Sequence, residues 1–217
     1  MSGAPPAATV ELEGFTHRFE PAAAAGTRRT LLLLHATGGT EAALLPLGRR
    51  LAPGAALLSP RGRVLEGTMP RFFRRLAEGV FDQADLALRT GELARFIRAA
   101  TDRYRLDPAG VIAVGYSNGA NIAGSLLLRH PGLLAGAVLF RPMLPYEPER
   151  PVVLPGTPVW LGAGRTDLTV PHQNVERLAQ LLRDSGARVT LEWRDAGHQM
   201  TAEDVESAVR WLLALPA

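Results

Sequence analysis

The chain has no cysteine and no lysine, and only 6% of its residues are aromatic. Without cysteine there is no disulfide framework, no thiol nucleophile and no thiolate metal site, although compartment is left open by that absence alone. Without lysine, all 24 basic residues are arginine, which reads as compositional bias and accounts for a sequence pI near 10.1. The net charge is only +3, and the arginines are interspersed with 21 acids. No basic block marks a nucleic-acid groove, so no nucleic-acid partner is expected. Leu31 to Leu34 is far too short to cross a bilayer. Met1 to Val10 lacks a basic n-region and an apolar h-region, so neither a cleaved signal peptide nor a membrane partner is expected, and the expected setting is cytoplasmic.

What is present suffices for one sizeable core: 217 residues, 47% of them hydrophobic. A single domain over 1–217 is expected, with an Ala/Pro-rich, loose segment at 1–9. Alternation predicts an edge strand over residues 10–19 and a turn over 21–27, and continuous apolar runs predict buried strands over 30–35, 55–58, 134–140, 158–161 and 188–193. Helical spacing appears over 41–51, with Pro46 near the first turn, and over 83–104, 175–182 and 202–213. Residues 61–84 read as a long irregular segment, and such a segment is a candidate wall of a binding site. Alternating strands and helices imply an α/β fold with a mainly parallel central sheet flanked by helices. Its site belongs at the carboxyl ends of the strands. No repeat, linker or inserted cap domain interrupts the pattern, and 141–157 is a proline-rich loop.

The most informative stretch runs from Val111 to Asn121. A β-branched apolar run enters Gly115-Tyr-Ser-Asn-Gly119, and residues suited to a helix follow over 120–128. A sharp strand-to-helix turn needs small residues on both sides of its middle residue so that the two backbones can approach. Glycine stands on both sides of Ser117. The turn lifts its hydroxyl above the sheet at a helix N-terminus, where the dipole favours developing negative charge.

A serine nucleophile needs a base, and the base needs an acid to orient it. Of five histidines, His198 follows the last predicted strand in Asp195-Ala-Gly-His-Gln. Asp167 follows an earlier strand, and Asp195 is the rival acid, read as shaping the histidine loop. The order Ser117, Asp167, His198 matches one hydrolase class. Oxyanion donors are assigned to the backbone N–H groups of Thr37, on the loop after an early strand, and of Asn118, immediately after the serine. His35 reads as structural and His172 as a rim residue. No histidine and carboxylate pair has metal-ligand spacing, so no metal is expected.

Taken together, Leu34-His-Ala-Thr-Gly-Gly39, Ser59-Pro-Arg-Gly62, Gly115-Tyr-Ser-Asn-Gly119, Gly164 to Pro171 and Asp195-Ala-Gly-His198 span nearly the whole chain. It resembles the small, capless phospholipase/carboxylesterase group of α/β-hydrolases, which also contains the acyl-protein thioesterases. The resemblance implies hydrolysis of esters, and sometimes thioesters, through a Ser117–Asp167–His198 triad without metal or organic cofactor. The family's usual glycine after the early histidine and acid after the paired glycines are Ala36 and Thr40 here. That departure bears on the Thr37 assignment.

The expected function is a serine esterase acting on small-molecule carboxylic esters with short to medium acyl chains. Met69, Phe72, Phe73, Phe81 and Met143 are candidates for an apolar acyl groove, with ordinary core packing as the competing reading. Arg71, Arg74 and Arg75 read as a solvated charged face in preference to a site for an anionic head group. A thioesterase, a lysophospholipase or amidase of the same mechanism, and a non-catalytic binding protein on the same fold are the alternatives. A homodimer is the one further partner the sequence leaves open.

Overall fold

The computed structural model describes residues 9–23 and 26–216. The loose segment expected at 1–9 lies outside that range except for Thr9, which is already in a strand, and the turn expected at 21–27 lies partly outside it. The predicted edge strand is a hairpin: β1 (Thr9–Leu12) and β2 (Phe15–Glu20) pair antiparallel. Glu13 and Gly14 between them have φ of 50° and 73°. Two successive positive φ values make the tight turn whose twist matches that of the flanking strands.

β3 (Thr30–Leu34), α1 (Leu45–Leu51) and β4 (Ala56–Pro60) follow, with proline in the first turn of the helix. Residues 61–84 are not irregular. They form two antiparallel arms, β5 (Val64–Glu66) with β6 (Met69–Arg71), and β7 (Arg75–Ala77) with β8 (Val80–Phe81). α2 (Gln83–Tyr104) starts at Asp82, whose carboxylate accepts from the Asp85 N–H, and ends at Arg105 in the left-handed conformation. Then come β9 (Val111–Tyr116), α3 (Asn118–Arg129), β10 (Gly136–Phe140), β11 (Pro158–Gly164), α4 (His172–Asp184), β12 (Arg188–Arg194) and α5 (Ala202–Leu213).

The main sheet has eight strands in the order β1-β2-β4-β3-β9-β10-β11-β12. From β4 onward every pairing is parallel, and the antiparallel pairings, β1 with β2 and β2 with β4, are confined to one edge. The continuous apolar runs follow from burial on both faces. On β3, Leu32 and Leu34 join α2, α3 and α4, whereas Leu31 and Leu33 join α1, α5 and Trp160. This is the α/β-hydrolase architecture, and it brings the ends of β3, β9, β11 and β12 to one edge. Among the described residues no helix is long and apolar enough to cross a membrane.

Two helical glycines separate helix propensity from packing. A Cβ on Gly91, in α2, would meet nothing within 4 Å, whereas one on Gly48, in α1, would lie 2.9 Å from Leu33 Cδ1 and 3.0 Å from Leu57 Cδ2. Gly91→Ala should raise the unfolding free energy by about 0.5–1 kcal/mol. Gly48→Ala should lower it by about 1–3 kcal/mol, because strain against the sheet outweighs the same propensity gain. Urea unfolding of both variants checks the opposite signs.

Candidate active site

Ser117 lies between β9 and α3 with φ 52° and ψ −113°, a backbone conformation that costs on the order of 1–3 kcal/mol and persists only when its surroundings over-determine it. Those surroundings are close backbone contacts. A Cβ on Gly115 would lie 2.6 Å from the Ala120 backbone, and one on Gly119 would lie 1.9 Å from the Leu34 carbonyl oxygen. The Ser117 N–H donates to Phe140 O at 2.9 Å, tying the turn to the end of β10.

Asp167 follows β11, and His198 follows β12. Their loops meet at Gly164, where a Cβ would lie 2.4 Å from the Gly197 carbonyl oxygen. Asp167 Oδ1 accepts from the Thr169 and Val170 N–H groups at 2.8 and 3.1 Å, which turns Oδ2 toward His198 Nδ1 at 2.8 Å. A carboxylate only accepts, so Nδ1 carries the proton and Nε2 is left to accept from the Ser117 hydroxyl at 2.9 Å. The Asp167 side chain is 1% exposed in this pairing. Asp195, the rival acid, is 93% exposed and faces Arg165.

The loop after β3 is pinned on both sides of Thr37. Gly38 N–H donates to Pro70 O and Gly39 N–H to Ala36 O, while the Thr37 hydroxyl accepts from Arg71 Nη1 at 2.7 Å. The Thr37 N–H has no partner among the described residues, and neither does the Asn118 N–H in the first turn of α3. Both loops meet where Gly119 touches Leu34, beside the serine.

His35 holds this loop from beneath. Its Nδ1–H donates to Ala36 O at 2.7 Å and its Nε2 accepts from the Gly62 N–H at 2.9 Å, an arrangement open only to the neutral ring. Burial pushes its pKa below the ordinary histidine value. His172 is exposed at the start of α4, bonded to Arg165 O and packed on Trp193. Among the described residues no group of three or more histidine or acidic side chains could hold a metal ion.

The candidate groove residues separate. Met69 is exposed, its side chain beside Gly38. Met143 packs with Phe81, Ala163, Val170 and Val175, and its N–H donates to Asn121 Oδ1. Phe72 and Phe73, by contrast, are core residues, packed with α2 and α3. The backbone at Arg71 passes within 2.3 Å of where a Gly62 Cβ would stand, and the Phe72 N–H donates to Asn118 Oδ1. This strap over the Ser117 turn directs both rings inward.

The charged-face reading holds for Arg74, which is exposed, but Arg71 is buried and serves the Thr37 loop. Asn118, Asn121 and Tyr116 are among the side chains that escaped sequence reasoning. Asn118 and Asn121 bond neighbouring backbone, and the Tyr116 hydroxyl donates to His198 O at 3.0 Å, with burial pushing the phenol pKa up and keeping it a donor. Two asparagines in the first turn of a helix after a strand were a usable signal for Asn118 and Asn121. Tyr116 offered none.

A family model described as Phospholipase/Carboxylesterase matches residues 23–215. The chain is 50% identical over 181 residues to the putative hydrolase MhqD of Bacillus subtilis (strain 168), covering 83% of this chain and 90% of that one. Among solved structures, the Bacillus cereus carboxylesterase superposes with a TM-score of 0.88 at 45% identity, over 91% of this chain and 92% of that one. The carboxylesterase from Mesorhizobium loti gives 0.90 at 33% identity, over 97% and 100%.

The buried neutral histidines predict an acid-sensitive fold. His35 and His17 both have pKa values lowered chiefly by burial. The unfolded chain binds their protons more readily, so their stabilisation is full above the unfolded value of about 6.5 and is lost as pH falls from there toward the folded values. Unfolding free energy should drop by at most about 1.4 kcal/mol per pH unit for each histidine in that window. Chemical denaturation across pH 5–8 measures it, and a flat profile would contradict the assignment.

Proposed function

The chain belongs to the phospholipase/carboxylesterase family of ester hydrolases, and from that premise we propose that it cleaves carboxylic esters through Ser117, His198 and Asp167. The observation that carries the reading is the continuous hydrogen-bonded line from Ser117 Oγ through the His198 ring to Asp167 Oδ2. Ser117 Oγ attacks the ester carbonyl while His198 Nε2 takes its proton. The tetrahedral oxyanion is held by the Thr37 and Asn118 N–H groups, each worth roughly 3–4 kcal/mol. Collapse expels the alcohol, protonated by His198, and water repeats the cycle on the acyl-enzyme. Asp167 keeps the ring in the Nδ1–H tautomer and stabilises the imidazolium that forms.

Apolar side chains on the two arms support an acyl substrate in this reading. Leu65, Met69, Leu76 and Val80 are exposed there, and Met69 lies beside the oxyanion loop. Among the described residues no helix lies over these arms, and in this reading they take short to medium chains. Each methylene that finds apolar wall contributes about 0.8 kcal/mol, roughly a fourfold gain in kcat/KM. Across p-nitrophenyl acetate, butyrate, octanoate and palmitate, kcat/KM should rise by no more than that and then fall before palmitate. A maximum at palmitate would replace the reading with a long-chain lipid hydrolase.

The decisive experiment is labelling with a fluorophosphonate probe alongside ester turnover. Wild type should label and turn over, while Ser117→Ala should lose labelling and about four to six orders of magnitude in kcat with an unchanged melting curve. Folded wild type that does not label would favour a binding protein on this fold.

A further inference from the structure

Arg141 is the first residue after β10, and three features set it apart. Its φ is 52°, a left-handed conformation rare outside glycine. Its side chain and that of Asp204 are each 0% exposed, and they pair at 2.7 Å. Every one of its five guanidinium N–H groups has an acceptor: Nε donates to Gly197 O (3.0 Å), Nη1 to Gly162 O and Asp204 Oδ1 (both 3.2 Å), and Nη2 to Gln199 O and Asp204 Oδ2 (both 2.7 Å).

Gly197 and Gln199 flank His198. With the Tyr116 hydroxyl on His198 O, three successive carbonyls of the histidine loop are held by side chains from the ends of β9 and β10. The preceding residue, Phe140, accepts the Ser117 N–H. The nucleophile turn and the base loop are therefore referenced to adjacent residues, Phe140 and Arg141, at one strand end. Asp204 is fixed in its turn by the capping box of α5, its Oδ2 accepting from the Thr201 N–H at 2.8 Å.

The charge of the pair is not what stability requires here. A buried ion pair is commonly replaceable by neutral residues of similar volume without loss, and the left-handed backbone adds a cost. What a neutral pair does not provide is a planar fork of donors matched to two carbonyls with one residue between them. We propose that Arg141, ion-paired to Asp204, is a positioning residue that fixes the His198 imidazole against Ser117 by clamping the carbonyls on either side of it. The proposal rests on the Ser117–His198–Asp167 reading above. Displacing a reacting group by about 1 Å costs on the order of 10²-fold in rate.

The test is the double variant R141M/D204N, which removes both charges and leaves an acceptor for the Thr201 cap, with R141K as a second variant that keeps charge but loses the fork. In both, kcat and the fluorophosphonate labelling rate should fall together by tenfold to a thousandfold while KM stays within about threefold. R141G relaxes the backbone and leaves a cavity shaped for the lost group, so low-millimolar guanidinium should restore labelling at least severalfold where methylammonium does not. Wild-type kcat and labelling in folded R141M/D204N or R141K would overturn the proposal. Failure of wild type to label would instead overturn the triad reading, so the two failures are distinct.

Discussion

The site depends on one constraint, the contact between Gly119 and the Leu34 carbonyl oxygen. A side chain there would place a carbon 1.9 Å from that oxygen, so the N-terminus of α3 approaches the end of β3 only as bare backbone. This approach brings the first free N–H of the helix beside the loop that offers the Thr37 N–H, and it leaves Ser117 no relaxed path between strand and helix. The strained φ and ψ at Ser117 are a consequence of packing. Gly164 repeats the device on the other side of the site, letting the aspartate and histidine loops touch.

Around this constraint the sheet supplies rigidity and the loops supply chemistry. β3, β9 and β10 are buried on both faces, so their carboxyl ends hold fixed positions, and the polar groups that emerge there are bonded mostly to backbone. Asp167 shows the principle. Two N–H groups occupy one carboxylate oxygen and thereby aim the other at His198. Orientation that would otherwise cost side-chain entropy during the reaction is settled on folding.

Much of this was legible in the sequence, and what was not has physical causes. α2 and α5 have the bounds that their apolar spacing predicts, and each opens on a side-chain N-cap, Asp82 and Thr201. Flanking glycines point to Ser117, and chain order points to Asp167 and His198. The arms between 64 and 81 were missed because strands of two or three residues are too short to show a period. The rings of Phe72 and Phe73 follow from the backbone crossing at Gly62, a tertiary contact with no local signature. Arg141 was hidden for a similar reason: its role comes from a positive φ at a strand end and from two loops remote in sequence.

The absence of lysine acquires meaning at Arg141 and Arg71. Both guanidinium groups are buried, a place where a lysine ammonium would readily lose its charge. Burial lowers the Arg71 pKa from its usual value, yet a guanidinium starts so far above neutrality that the charge persists. Geometry adds to charge. Arg71 reaches the Thr37 hydroxyl through Nη1 and Phe73 O through Nε, and Arg141 satisfies five acceptors with one rigid plane. An ammonium has three donors on a single rotating centre and spans no such set. A bias that looks neutral in the composition thus supplies, at the two loops bearing Thr37 and His198, the side chain best suited to hold backbone carbonyls and hydroxyls in place.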